Sequence, residues 1–327
     1  MKNIRVNKDR VIVTTENPDE SVADAESIDK GTDSKRATSW SSRLKRGILI
    51  YVLIPYLSVT LGFAVFQRSL IYRPLVTTKI NLPTTVPGTD VAWEGVEVST
   101  FDGVTLNGWL LKHQRTETNE PKLVLYFPGN SENRSKRVYD LLEVGRSGYD
   151  VLIVDYRGYG DNAGSPSESA IRQDALAIWN DAVTKRGYKP SRIVVFGESL
   201  GGAVAIQLTS SLAEQNVMPR KVMVVSTFNR LGDVVGELYP MFPFRYLLWD
   251  QYDSQTAARN IRCPLTIIHG KQDDLVPPVL AQRLFDSLPK SLETKGLWSL
   301  HLIPGMTHND IHGPTLQREL EEVTIAN

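Results

Sequence analysis

Cysteine is almost absent from this chain: Cys263 stands alone among 327 residues, which excludes an intrachain disulfide and any multi-cysteine zinc or iron–sulfur site. The compartment stays open, because a domain of this size folds in an oxidising space without disulfides. Net charge is absent too, with 37 basic side chains against 37 acidic ones. A chain without a basic excess is not a nucleic-acid binder that works through bulk electrostatics. No G-x-x-x-x-G-K-[ST] occurs, and Gly158-Tyr159-Gly160-Asp161-Asn162-Ala163-Gly164 misses G-x-G-x-x-G by one residue, so no nucleotide or other cofactor is expected. There is no internal repeat. What is present, 41% hydrophobic and 23% charged, is the composition of a globular protein and not of a collagen-like, coiled-coil or wholly disordered chain.

Composition changes along the chain. Residues 1–46 are rich in Asp, Glu, Ser, Thr and Lys and poor in aromatics, too polar to offset their ordering entropy, and are expected to be a disordered tail. The nineteen residues 48–66 then carry no charge. At ~1.5 Å each they make about 28 Å, close to the ~30 Å hydrocarbon core of a bilayer. Arg43, Lys45 and Arg46 abut one end, Gln67 and Arg68 stop the other, and Trp40 and Tyr72 lie where interfacial aromatics occur. A secretory leader would start near residue 1 and carry a small-residue cleavage site. The expectation is one transmembrane anchor over residues 47–68, then a linker over 69–92 and a folded domain over 93–327. Lys35, Arg36, Arg43, Lys45 and Arg46 before the span outnumber Arg68, Arg73 and Lys79 after it, which places the tail in the cytoplasm and the domain across the membrane. Asn133-Arg134-Ser135 fits an N-glycosylation tripeptide.

The domain reads as α/β. Gly95–Thr100 and Val104–Leu111 flank Asp102-Gly103 as a hairpin. Short β-branched runs follow at Lys122–Phe127, Val151–Asp155, Ile193–Phe196, Lys221–Val225, Leu265–His269 and Leu300–Ile303. Helical patterns at Glu168–Arg186, Leu200–Leu212, Pro278–Leu288 and Asp310–Val323 alternate with them, which predicts a mostly parallel sheet covered by helices on both faces.

Gly197-Glu198-Ser199-Leu200-Gly201 sits between one such strand and an Ala/Leu-rich helix, the context in which G-x-S-x-G makes a nucleophile elbow. The turn is tight, so Gly197 and Gly201 avoid collisions, and Ser199 projects its hydroxyl beside the helix N-terminus. A serine needs a histidine to take its proton and an acid to orient that histidine, in the chain order Ser, acid, His. Asp273 and Asp274 share one loop past a strand; Asp273 is preferred, although adjacent acids are not separable by pattern. Of five histidines, His308 follows the last strand by a short loop, where the base belongs. His269 and His301 read as structural. His308 and His312 are four apart, but Asn309 replaces the Glu of H-E-x-x-H, so no metal site is expected. The loop Phe127-Pro128-Gly129-Asn130-Ser131 is placed to supply one oxyanion N–H, from Asn130 first and Ser131 next, with Leu200 giving the other. Cys263, before Pro264, reads as a small buried residue. The aromatic segment 228–261 lies between two strands, as a lid over an acyl pocket or as packing beneath the sheet.

Leu125-Tyr126-Phe127-Pro128-Gly129-Asn130, Asp155-Tyr156-Arg157-Gly158-Tyr159-Gly160, Gly164-Ser165-Pro166-Ser167-Glu168, Gly197-Glu198-Ser199-Leu200-Gly201-Gly202, His269-Gly270-Lys271-Gln272-Asp273 and Gly305-Met306-Thr307-His308-Asn309-Asp310 follow one another as in α/β-hydrolases. Over about residues 90–325 the chain resembles the membrane-anchored branch of α/β-hydrolase-domain serine hydrolases, which includes lysophospholipid lipases and protein depalmitoylases. The resemblance implies Ser199 as nucleophile, Asp273 as acid and His308 as base. It implies cleavage of esters or thioesters in lipid-like or acylated substrates. A peptidase or non-lipid carboxylesterase on the same triad, or an inactive membrane scaffold, are the other readings. Relatives usually have His-Gly-Asn where this chain has Pro128-Gly129-Asn130, which puts the outer hydrogen bonds of that loop in question.

Overall fold

The computed structural model describes residues 3–7, 10–14, 31–84, 91–113, 120–290, 296–310 and 316–320. The chain forms two compact units, Met1–Leu57 and Ser58–Asn327.

In the first unit, β1 (Asn3–Asn7) and β2 (Arg10–Thr14) pair antiparallel, and α1 (Gly31–Ile48) leads into a π-helical stretch, Leu49–Leu53. Secondary structure therefore enters the segment expected to be a disordered tail; the rest of that segment lies outside the described residues. Ile4 and Val6 against Val11 and Val13 alternate with the period of a strand, a local pattern that composition averaged over the whole tail conceals. The π stretch ends just before Pro55, whose ring collides with the carbonyl four residues back and whose nitrogen has no hydrogen to donate; the wider turn relieves both. Helix continues as α2 (Ile54–Ile71). The stretch Trp40–Ile71 is long and apolar enough to cross a membrane, and only 6% of its apolar window is buried, unlike the core helix of a soluble protein.

The second unit is an eight-stranded sheet with helices on both faces. In chain order its elements are β3 (Arg73–Pro74), β4 (Val91–Ser99), β5 (Thr105–His113), β6 (Leu123–Phe127), β7 (Ser131–Glu132), α3 (Val138–Gly145), β8 (Asp150–Val154), α4 (Glu168–Asn180), β9 (Ile193–Glu198), α5 (Leu200–Glu214), β10 (Lys221–Val225), α6 (Leu231–Leu238), α7 (Ser254–Ala258), β11 (Leu265–Gly270), α8 (Pro278–Asp286) and β12 (Trp298–Ile303). The sheet order is β12-β11-β10-β9-β6-β8-β5-β4. β4–β5 and β5–β8 are antiparallel and every other pair is parallel. The expected hairpin followed by a doubly wound run is therefore the observed topology.

β6, β8, β9, β10 and β11 are buried along their whole length, as strands covered on both faces must be. Leu123, Leu125 and Phe127 join one core while Val124 and Tyr126 join the other, the period-two alternation of a pleated strand. β6 lies between β8 and β9, so the chain leaves it toward one edge and later returns to the other. Such a switch point opens a crevice at the carboxyl ends of the strands, and the loops after β6 and β9 face each other there.

Residues 69–92, expected as a linker, are largely docked. β3 pairs with β7, Arg73 N–H donates to Asn130 O at 2.9 Å, and Thr77 N–H donates to Gly160 O at 2.8 Å. Residues 85–90 lie outside the described residues.

Candidate active site

β9 ends at Glu198 and α5 begins at Leu200, which leaves Ser199 alone to make the turn. Its φ of 50° and ψ of −116° are a backbone state that a non-glycine residue adopts only when its surroundings impose it. They do so here. Ser199 N–H donates to Val225 O at 2.9 Å, and Ser199 O accepts from Gly202 N–H at 3.0 Å and from Thr227 Oγ1 at 2.9 Å. A Cβ on Gly197 would strike the Gly201 carbonyl, and one on Gly201 would strike the carbonyl of Phe127, so the sharp turn and the close approach of the β6 loop both require glycine.

The structure brings Ser199, His308 and Asp273 into one row. His308 Nε2 lies 3.2 Å from Ser199 Oγ, and His308 Nδ1 lies 2.8 Å from Asp273 Oδ2. An ionised carboxylate only accepts, so Nδ1 carries the hydrogen and Nε2 is free to accept from the serine. The loops holding these residues follow β9, β11 and β12, all at the carboxyl edge of the sheet. Gln272 N–H donates to Met306 O at 3.1 Å and Gly305 N–H to Gln272 Oε1 at 2.6 Å, which binds the acid loop to the histidine loop.

Of the two adjacent acids, Asp273 is buried and Asp274 exposed. Asp273 Oδ1 accepts from the N–H groups of Leu275 and Val276, and Oδ2 lies 3.1 Å from Nε2 of His269 as well as beside His308. Burial alone would raise this carboxyl, but the hydrogen bonds from His269, His308 and the Val276 N–H outweigh it and hold the group well below the usual carboxylate range. His269 is fully buried, and its Nε2 also lies 2.8 Å from the carbonyl of Val276, which fixes the hydrogen on that nitrogen. The sequence reading took His269 as structural; the structure places it against the acid. Its position four residues before Asp273 was the available signal.

The loop after β6 is held by several hydrogen bonds despite Pro128. Pro128 O accepts from Tyr156 Oη at 2.8 Å, and Gly129 N–H donates to Glu198 Oε1 at 3.0 Å. Asn130 O accepts from Arg73 N–H and from Tyr159 Oη, while Asn130 Nδ2 donates to Ile71 O at 2.5 Å. Glu198 escaped the sequence reading as a functional position. It is buried beside Ser199, accepts from Tyr126 Oη at 2.7 Å and pairs with Arg137 at 2.8 Å. An acid ending a strand otherwise made of apolar residues and glycine was the clue, because a buried carboxylate must find donors.

Two cavities meet at Ser199. One, about 370 Å³, is polar and is bordered by Asn130, Glu132, Arg137, Glu198 and His308. The other, about 420 Å³, is apolar and is bordered by Asn130, Leu200, Phe228, Val234, Phe244 and Leu275 among others. Of segment 228–261, residues from Phe228 to Phe244 border this cavity, while Tyr252, Ala258 and Ile261 are packed in the core. Leu200 opens α5, so its N–H is an orphan of the first helical turn.

The remaining candidates fall elsewhere. His113 Nε2 lies 2.8 Å from Gly145 O, and His301 is within ion-pair distance of Glu319. His312 lies outside the described residues, among which no group of three His, Cys, Asp or Glu is placed to hold a metal. Cys263 is buried, and burial pushes its thiol up to about 12, so it is no nucleophile. Asn133 is 5% exposed and donates from Nδ2 to Leu75 O at 2.8 Å, which leaves no room for a glycan.

The model of the alpha/beta hydrolase fold matches residues 122–248. An uncharacterized protein of Mycobacterium tuberculosis is 36% identical over 244 residues, covering 75% of this chain and 81% of that one. The chain belongs to the α/β-hydrolase family. The lysophosphatidylserine lipase ABHD12 of Xenopus tropicalis is 30% identical to this α/β-hydrolase over 179 residues, 50% of this chain and 46% of the relative. An esterase of Pyrococcus furiosus superimposes with a TM-score of 0.56 at 19% identity, covering 77% of this α/β-hydrolase and 97% of the esterase, a likeness of fold.

Proposed function

We propose that this α/β-hydrolase is a membrane-anchored serine hydrolase that cleaves esters or thioesters of lipid-like substrates through an acyl-enzyme. The row Ser199–His308–Asp273, with its 3.2 Å and 2.8 Å contacts, carries the reading. His308 Nε2 takes the proton as Ser199 Oγ bonds to the substrate carbonyl carbon, and the carbonyl electron pair moves onto oxygen. The N–H groups of Asn130 and Leu200 receive that oxyanion. The intermediate collapses, the bond to the leaving alcohol or thiol breaks, and His308 returns the proton to the leaving group. Water then gives a proton to His308 as it attacks the acyl-serine; the acid leaves and Ser199 recovers its proton. Asp273 holds the imidazole in the tautomer that this cycle needs.

Residues 47–68, within the apolar helix Trp40–Ile71, are the anchor; the basic excess before the span favours the tail in the cytoplasm and the hydrolase domain across the membrane. The apolar cavity beside Ser199 and the lipase among the relatives favour an acyl substrate over a peptide. A fluorophosphonate probe applied to the full chain in membranes is expected to label it strongly, and Ser199→Ala is expected to abolish the label. A folded protein that stays unlabelled between about pH 6 and 9, where a histidine base is competent, would falsify the hydrolase reading and favour the scaffold.

A further inference from the structure

The apolar cavity has a wall that no lipase motif in the sequence anticipates. Val59, Phe63, Leu70 and Ile71 of α2 border it together with Ser199 and Leu200. Residues three and four apart share one helix face, so these side chains form a single stripe. From Val59 to Ile71 that stripe runs roughly 18 Å at ~1.5 Å per residue. Its upper part, Val59 and Phe63, falls within the uncharged run 48–66, and its lower end reaches the oxyanion loop through the bond from Asn130 Nδ2 to Ile71 O.

The orientation of this stripe is fixed. Gln67, on the same face, is fully buried; its Nε2 donates to Leu247 O at 3.0 Å, and its Oε1 accepts from Trp249 N–H at 2.6 Å. The Phe63 ring stacks on Phe244 with centroids 4.0 Å apart. In segment 228–261, whose first part borders the cavity, Leu238, Tyr239, Met241, Tyr246 and Trp249 are exposed, with Met241 82% exposed. A cluster of large apolar side chains is unfavourable in water but suited to a bilayer interface, where Tyr and Trp concentrate.

We propose that residues 59–71 are the acyl-binding wall of the site, so that a long-chain ester or thioester reaches Ser199 by drawing its tail from the adjacent leaflet along this helix. The inference rests on the serine-hydrolase reading and names its substrate class: an amphiphile resident in the membrane, its acyl chain in the apolar cavity and its leaving group in the polar one. The helix is then part of the substrate site as well as an anchor.

The test uses the full chain in lipid nanodiscs and a fluorophosphonate with a C16 alkyl tail bearing a mid-chain diazirine. After reaction and irradiation, peptide mapping is expected to find phosphonylated Ser199 and crosslinks that include residues 59–71. Phosphonylated Ser199 with crosslinks elsewhere overturns the inference and leaves the hydrolase reading intact; no phosphonylation removes both. In parallel, Val59→Trp fills the cavity from the helix side and is expected to lower the ratio of kcat/KM for C16 over C4 p-nitrophenyl esters at least 10-fold. Val65→Trp, on a part of the helix that does not border the cavity, is expected to leave the ratio within twofold. Equal loss in the two variants, or no loss in either, overturns the inference.

Discussion

Asp273 and Asp274 carry the same functional group one residue apart, and only their surroundings give them different work. Asp273 receives two backbone N–H groups and stands beside two imidazoles, while Asp274 faces solvent. Asp273→Asn therefore disturbs the His308 tautomer and is expected to cost about 10³–10⁴-fold in kcat, with Asp274→Asn within twofold, measured on a chromogenic ester. Because the Asp273 carboxyl is held below its usual range, it stays ionised where the base loses activity. The acid limb of log kcat/KM is then expected to fall with a slope of one. The same shift has a stability consequence. A depressed carboxyl stabilises the fold fully above its unfolded value of about 3.9 and loses that contribution as pH falls toward its folded value. Thermal unfolding of the wild type and Asp273→Asn is expected to differ by a constant amount at neutral pH and to draw together only as pH falls below about 4.

At the scale of elements, legibility followed length and period. The β-branched runs that became β6, β8, β9, β10 and β11 are continuous, and Ser199 was readable because a strand, two glycines and a helix frame it. β3 and β7 have two residues each, too few to display any period, so the docking of residues 73–77 against the loop after β6 and against Gly160 was invisible in the sequence. Glu198 was missed for a related reason: its partner Tyr126 is 72 residues away in the sequence. The glycines test the element-scale argument. A Cβ on Gly201 meets the carbonyls of Phe127 and Pro128, which belong to backbone and cannot rotate away, whereas one on Gly62 meets nothing within 4 Å. Gly201→Ala is expected to cost at least the ~1–3 kcal/mol of core overpacking and to lose fluorophosphonate labelling. Gly62→Ala is expected to fold and label as the wild type does, read by thermal unfolding and gel fluorescence.

For the molecule as a whole, the end of the apolar helix is joined to the folded domain by a small polar knot. The Arg68 guanidinium donates to Asp250 through Nε at 2.9 Å and Nη2 at 3.1 Å, and Tyr72 Oη donates to the same carboxylate at 3.1 Å and lies 2.9 Å from Tyr252 Oη. Glu168 N–H, at the start of α4, donates to Asp250 as well, so one buried acid gathers α2, the loop before α7 and a sheet-covering helix. Removing a partner from a buried pair leaves an uncompensated charge and costs ~3–5 kcal/mol. Here the Asp250 side chain is 4% exposed but that of Arg68 is 45% exposed, so water moderates the loss. Arg68→Gln is then expected to cost about 2 kcal/mol, which at ~2–4 °C per kcal/mol lowers Tm by about 4–8 °C in detergent, with Arg68→Lys recovering part of it. An unchanged Tm would mean that Asp250 is held by Tyr72 and Glu168 alone and that the helix end is joined to the domain by its apolar stripe. Because Ile71 O holds the Asn130 side chain and Arg73 N–H its main-chain carbonyl, loosening this knot is also expected to slow turnover of short esters whose tails never touch the helix. That loss would separate the part the helix plays in holding the oxyanion loop from its part in binding the chain.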